Sequence, residues 1–326
     1  MVQKKIVVLG TGGTIAGQAQ NDRDNLTYTP AQIGVAQLLE AIPSLASLDV
    51  ALACEQLAQL NSKDMSFPVW VQLAQRCAHW LAQDEVQGIV VTHGTDTLEE
   101  TAYFLQSVLS ADKPVVLTCA MRPATSVQSD GPQNLLDAVA VASLSGARGV
   151  LAVCAGTLHG ARDVQKTHPY RLNAFSSGDA GPLGYLEEGV LRQLRAWPVQ
   201  PERSALTLMQ QINTGTIWPR VEILLSYVGA SGAMVDAAQT GADKLHGLVL
   251  AGTGNGNLHQ EMDAAIGRAQ AAGVKVVRAT RCPEGRVLVK PGDPLADSQG
   301  LSPVKARVAL MLDLLGARLL GGQNPG

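Results

Sequence analysis

Aromatic and charged side chains are both scarce in this 326-residue chain, at 4% and 16%, where an average globular protein is about 25% charged. A surface so poor in charge must rely on uncharged polar groups and on buried contacts, which fits an oligomer. Long apolar runs are also missing. The longest uncharged stretches, such as Ile223 to Val235, are interrupted by Ser and Gly and fall short of the ~18 residues of a membrane span, so a soluble protein is expected, with no membrane partner. No five-residue run of Lys and Arg occurs and the net charge is −3, which removes the electrostatic footprint of a nucleic-acid binder and leaves a small molecule as the expected partner. Met1–Lys5 leads straight into Ile6–Leu9, without the long apolar core of a secretory leader, and this reads as cytoplasmic. The five cysteines never form a C-x-x-C pair, which agrees with reduced thiols and argues against a zinc site.

What the chain does have is glycine, 33 residues of it, and alternating patterns. Apolar, β-branched runs at Lys5–Leu9, Gly88–Thr92, Pro114–Thr118 and Gly149–Ala155 read as buried parallel strands. Between them, Trp70, Leu73, Ala74, Cys77, Trp80 and Leu81 recur at spacings of three and four, one apolar face of a helix, and Thr97–Leu109 and the stretch after Asp130 behave likewise. Strand, helix, strand order predicts an α/β fold with a mainly parallel sheet flanked by helices. Residues 1–190 are expected to form the larger N-terminal domain. A proline-broken, charged stretch, 191–217, reads as a linker, and 218–326 as a smaller α/β C-terminal domain. Its last helix is expected to start with Ser302 as N-cap and Pro303 as first helical residue.

The loop Gly10–Gly17 follows the first strand but fails the dinucleotide fingerprint, because Ile15 occupies the position of the third glycine. It also lacks the Gly-Lys-Ser/Thr of a phosphate cradle, as does Gly252–Asn257, so no nucleotide cofactor is expected. What it offers is a hydroxyl, Thr14, at the carboxyl end of a strand, where open α/β sheets bind ligands. A second strand-end loop, Thr92–Thr101, sets Thr95 beside Gly94 and adds Asp96 at a helix start. Asp96 there is either a plain N-cap or a functional acid. Neither a G-x-S-x-G elbow nor H-E-x-x-H is present, the six histidines lack metal-ligand spacing, and His93 reads as a structural loop residue. A threonine nucleophile would need a base or charge partner, and Lys166 is one candidate.

Thr11–Gly17 and His93–Ala102 resemble the two active-site motifs of the bacterial-type L-asparaginases, amidohydrolases that cleave the side-chain amide of asparagine and often of glutamine. The likeness extends through Ala120–Pro123, Asp130–Pro132, Gly160–Thr167, Gly181–Tyr185 and Gly254–Asn257, nearly the whole chain in order. The resemblance implies hydrolysis of L-asparagine to L-aspartate and ammonia without metal or cofactor, in a homotetramer built as a dimer of dimers with sites at the intimate dimer interface. Dual specificity for asparagine and glutamine, and a non-catalytic amino-acid-binding protein on the same fold, are the alternatives. It also implies roles: Thr14 as nucleophile, Tyr28 as its hydrogen-bonding neighbour, and Thr95 as second catalytic threonine, linked to Lys166. Asp96 is expected to hold the substrate ammonium and Ser62 its carboxylate, with Lys63, Ala120 and Asn255 also lining the substrate site. Backbone N–H groups near Thr95 and Ala120 would face the oxyanion.

Two departures accompany this likeness. Lys63 stands where many relatives carry an amide or acid, and Pro283–Gln299 is shorter than the segment that sends an acidic residue into a neighbouring site, leaving Glu284, Asp293 and Asp297 as the acids available. The polar Gln18–Thr27 segment is expected to be a low-stability lid.

Overall fold

A computed structural model describes residues 4–199 and 208–320. The chain divides into two compact units, Met1–Gly215 and Thr216–Gly326.

The first unit runs β1 (Lys5–Gly12), β2 (Gln18–Ala19), β3 (Tyr28–Thr29), α1 (Val35–Glu40), β4 (Ala51–Leu60), α2 (Phe67–Leu81), β5 (Val86–Thr92), α3 (Leu98–Val108), β6 (Pro114–Thr118), α4 (Gly131–Ala142), β7 (Gly149–Cys154), β8 (Thr157–Gly160), β9 (Gln165–Lys166), β10 (Phe175–Ser176), β11 (Gly184–Glu187) and β12 (Val190–Gln193). Eight strands form one sheet in the order β12-β11-β8-β7-β6-β5-β1-β4. From β4 to β7 all pairings are parallel, whereas β8, β11 and β12 are antiparallel additions at one edge.

The central strands read as continuous apolar runs because both their faces are covered. Ile6, Val8, Val90, Val116, Leu151 and Val153 meet Leu135, Ala138, Val139 and Ala142 of α4, while the alternate residues Val7, Leu9, Ile89, Val91, Val115 and Leu117 are equally buried. Of the α2 stripe seen in the sequence, Trp70, Leu73, Ala74 and Cys77 are buried and Trp80 and Leu81 half-buried, and α2 packs on β4 and β5. Truncating a fully enclosed side chain such as Leu73 to Ala would cost about 2–5 kcal/mol.

The second unit contains β13 (Arg220–Leu225), α5 (Ala233–Gln239), β14 (Leu245–Gly252), α6 (Asp263–Ala271), β15 (Lys275–Thr280), β16 (Ala296–Asp297) and α7 (Pro303–Leu320). Its four strands are parallel in chain order. Helix α7 presses so closely on β14 that a Cβ at Gly247 would lie 2.8 Å from Leu310.

The structure departs from expectation at several points. The long edge strand β4 and the antiparallel strands β8, β11 and β12 were not foreseen as strands. The stretch expected as a linker from residue 191 begins inside β12, and Leu208 and Ile212 within it are buried. Gln75 Nε2 of α2 donates to Ile212 O at 3.3 Å, so this part belongs to the larger unit. Residues 200–207 of that stretch lie outside the described residues. Ser302 precedes α7 as expected, and its carbonyl accepts Ala306 N–H. Its hydroxyl is buried without a partner among the described residues, so it makes no side-chain cap there.

Candidate active site

The sheet brings three loops together at the carboxyl ends of β1, β4 and β5. Their closeness depends on missing side chains. Gly13 has φ +84°, a region that L residues avoid, and a Cβ there would lie 2.4 Å from Gly94 Cα. A Cβ on Gly94 would in turn lie 2.4 Å from Ser62 Oγ. The Thr14 and Thr95 loops are therefore in backbone contact and the Ser62 side chain packs against Gly94, while Thr11 Oγ1 donates to Thr92 O at 2.9 Å to tie the first two.

Thr14 opens a 3-10 turn, Thr14–Ala16, and is 8% exposed. Its Oγ1 lies 2.7 Å from Tyr28 Oη. Tyr28 is brought there by the β2–β3 hairpin, in which Ala19 pairs with Tyr28, and its ring lies against Gly17, where a Cβ would come within 2.9 Å. The segment expected as a lid carries defined ties: Ala19 N–H donates to Thr125 Oγ1, Val127 N–H to Asp22 O, and Ser126 Oγ to Asn25 Oδ1.

Thr95, Asp96 and Lys166 meet although Lys166 is some seventy residues away in sequence. Lys166 Nζ donates to Thr95 Oγ1 at 2.8 Å and to Asp96 Oδ1 at 2.7 Å. Lys166 is presented by the short β9–β10 pairing, with Lys166 opposite Phe175. Asp96 is not the cap of α3. Thr97 occupies that place without a side-chain cap bond, and the Asp96 carboxylate, 49% exposed, keeps Oδ2 free of partners among the described residues. Its backbone N–H donates to Ser62 Oγ at 3.1 Å, and Thr97 Oγ1 donates to Ser62 O at 2.8 Å, so Ser62 is fixed from both sides.

Ala120 is buried with Ile15 and Ala16, directly behind Thr14. Lys63 and Asn255 are placed differently. Lys63 Nζ holds both oxygens of Asp64 at 2.6–2.8 Å with its side chain 62% exposed, outside the threonine cluster. Asn255 lies in the second unit, its amide closing a loop by donating to Leu288 O at 3.0 Å and accepting from Leu288 N at 2.7 Å. Of the three acids named for the shortened segment, Asp293 is committed to Arg278, which lowers its pKa.

His93 is fully buried. Its Nδ1 bonds Gly94 O at 2.7 Å and its Nε2 has no partner among the described residues. Burial pushes its pKa down to about 4, against a smaller upward pull from Gly94, so the ring is neutral and shapes the loop.

Asp130 is the residue whose importance sequence reasoning missed. Its carboxylate accepts Met121 N–H and Arg122 N–H at 2.9–3.1 Å and Asn134 Nδ2 at 3.1 Å, pinning the turn after Ala120. Burial raises its pKa, with the two backbone donors opposing. The available signal was an Asp just ahead of Gly131-Pro132 at a helix start. Arg122 extends the connection: its guanidinium lies 4.1 Å from the Tyr170 ring and donates to Tyr170 O at 2.8 Å, in the loop joining β9 to β10.

A two-unit α/β fold with a paired-threonine, lysine and carboxylate cluster at the strand ends defines an amide-hydrolase class, and the chain belongs to the asparaginase family. The family model "Asparaginase, N-terminal" matches residues 5–198, and "Glutaminase/Asparaginase C-terminal domain" matches residues 220–317. The chain is 40% identical to "L-asparaginase 2" of Escherichia coli (strain K12), over 95% of this chain and 88% of that protein. It is 36% identical to "Glutaminase-asparaginase" of Pseudomonas fluorescens biotype A, over 95% of this chain and 86% of that protein. The crystal structure of a "Probable Cytoplasmic L-asparaginase" from Campylobacter jejuni superposes with a TM-score of 0.87 at 36% identity, covering 96% of this chain and 95% of that one.

Proposed function

We propose that the protein hydrolyses L-asparagine to L-aspartate and ammonia, with Thr14 as nucleophile. The observation that carries this reading is Lys166 Nζ held at 2.7–2.8 Å from both Thr95 Oγ1 and Asp96 Oδ1, beside a second threonine paired with a tyrosine. Amide cleavage needs a nucleophile, donors for the developing oxyanion and a proton for departing ammonia.

In this reading Tyr28 Oη accepts the Thr14 hydroxyl hydrogen and aims a lone pair at the side-chain carbonyl carbon. Attack forms a tetrahedral intermediate whose oxyanion faces backbone N–H groups near Thr95 and Ala120, each such donor supplying ~2.7–4 kcal/mol in comparable sites. Thr95, its oxygen already accepting from the Lys166 ammonium, delivers its own hydrogen to the leaving nitrogen and is reprotonated by the proton that Thr14 gives up through the Tyr28 hydroxyl. Water then cleaves the aspartyl ester of Thr14. The free Oδ2 of Asp96 suits the substrate ammonium, and the Ser62 hydroxyl, which accepts Asp96 N–H, keeps its hydrogen for the substrate carboxylate.

The relative named glutaminase-asparaginase supports testing both amides. The experiment is ammonia release from asparagine, glutamine and buffer alone, by the wild type, Thr14→Ala and Thr95→Val. Loss of release in both variants is expected; unchanged release in both refutes the assignment, and aspartate binding with no ammonia from the wild type favours a sensor. Similarity to a probable cytoplasmic neighbour supports a cytoplasmic location. A tetramer is the proposed assembly, supported by apolar side chains left exposed on the second unit, Leu225, Tyr227, Val228, Leu288 and Val289. Light scattering that returns a monomer rejects it.

A further inference from the structure

Cys119 follows the last residue of β6 and Cys154 ends β7, and the register that pairs Thr118 with Val153 puts the two cysteines opposite one another. Their sulfurs are 3.2 Å apart, both residues are buried and both are free thiols. Neighbouring strands lie about 4.8 Å apart, inside the ~4.4–6.8 Å Cα separation that a disulfide spans. The remaining cysteines are Cys77, buried in α2, and Cys54 and Cys282, both exposed.

This pair sits directly behind the threonine centre. Cys119 leads into Ala120, which packs on Ile15 and Ala16 next to Thr14. The Asn134 carboxamide straps the two strand ends together, its Nδ2 donating to Cys119 O and its Oδ1 accepting Ala155 N–H, both at 2.9 Å. Ala155 already sits at φ +49°, a strained region for a residue with a Cβ. A cleft of about 850 Å³ is lined by Asp130, Asn134, Ala155 and Gly156, so it opens onto the residues that adjoin the pair and not onto the sulfurs themselves.

We propose that Cys119 and Cys154 are a redox-modification site, closing to a disulfide across β6 and β7 on exposure to a peroxide and thereby slowing turnover at the neighbouring threonines. The effect on turnover rests on the amidohydrolase reading; the disulfide does not. One sulfur, as thiolate, attacks a peroxide oxygen and breaks the O–O bond, giving a sulfenic acid and, after protonation, water. The second sulfur attacks the first and releases another water. Two thiols thus lose two electrons and two protons, and one hydrogen peroxide becomes two waters. Hydrogen bonding to Cys154, then burial, raises the Cys119 pKa, which keeps Cys119 a thiol at rest. Closure shortens the contact from 3.2 Å to about 2.05 Å, and the backbone at Cys119 and Ala155 must absorb the difference. Displacements of about 1 Å around a reacting centre cost up to ~10²-fold in rate, so a fall in kcat of about tenfold is expected.

The test uses the full-length protein treated with hydrogen peroxide, followed by peptide mapping without reduction and by ammonia release. The expected result is a Cys119–Cys154 linked peptide, appearing together with the fall in kcat, both reversed by dithiothreitol. Cys154→Ala should keep the reduced enzyme's activity and lose the peroxide response, whereas Cys54→Ser/Cys282→Ser should keep the response. Oxidation confined to Cys54 and Cys282, a linked peptide with kcat unchanged, or the same loss in Cys154→Ala would each overturn the proposal. Should the reduced protein release no ammonia from either amide, the hydrolase reading fails instead. The linked peptide and a shift in aspartate affinity on oxidation then decide the redox site.

Discussion

Replacing Lys166 by Met keeps most of the side chain's length and apolar stem and removes only the ammonium. Two bonds disappear, the 2.8 Å donation to Thr95 Oγ1 and the 2.7 Å donation to Asp96 Oδ1. Hydrogen bonds to charged groups contribute about 1.5–3 kcal/mol each. The stability cost is nevertheless expected to be small. Asp96 is 49% exposed and can rehydrate once its partner is gone, which places the pair near the exposed-pair value of about 1 kcal/mol or less. A unit of this size should lose only about 2–4 °C in Tm. The rate should suffer far more, because a positioned proton-transfer group contributes ~10²–10⁴-fold, or about 2.7–5.4 kcal/mol of barrier. Steady-state ammonia release and a thermal melt on the same preparation measure both quantities. A kcat within about threefold of wild type would refute the role given to Lys166. A Tm loss above about 10 °C would show that the lysine is chiefly structural.

Two further outcomes are expected. Gly13→Ala sets a Cβ 2.4 Å from Gly94 Cα at φ +84°, so ammonia release should collapse and Tm should fall, the conformation alone costing about 1–2 kcal/mol; a variant with wild-type kcat would break the link between that contact and the site. His93, with its pKa pushed from 6.5 down to about 4, should show ring proton shifts that stay constant from pH 8 to pH 5 by NMR, and a midpoint near pH 6.5 would contradict its burial. Because the unfolded chain takes up this proton first, His93 favours folding above pH 6.5. Up to about 3 kcal/mol is then withdrawn as pH falls from 6.5 through 4, measurable as urea stability relative to His93→Asn.

The parallel core was legible because strands covered on both faces leave an unbroken apolar run, as at Pro114–Thr118, where the expected and observed bounds coincide. Strand β4 was not. Its sequence, ALACEQLAQL, is rich in helix formers, and it becomes a strand only because β1 offers a free edge to pair with. The antiparallel edge was missed for other reasons: β11 and β12 are largely half-buried or exposed and mixed in polarity, and β8, though buried from Leu158 to Gly160, has only four residues. At the site, Thr14, Tyr28, Thr95, Asp96 and Lys166 were named in advance, and two geometric clusters bring them together. Lys63 pairs with its neighbour Asp64, a contact that nothing in the sequence reveals. The Asp130-Gly131-Pro132 run marks a helix start in the sequence, but that its carboxylate supports the backbone amides of Met121 and Arg122 becomes visible only in three dimensions.

The contact of Gly13, Gly94 and Ser62 also limits how the enzyme can be re-engineered. Transplanting one loop from a relative to alter amide preference would bring a backbone path shaped for different neighbours, with only the short Ser62 side chain against Gly94 to absorb the mismatch. Chimeras should therefore exchange residues 10–17, 60–65 and 92–97 together, as a single cassette.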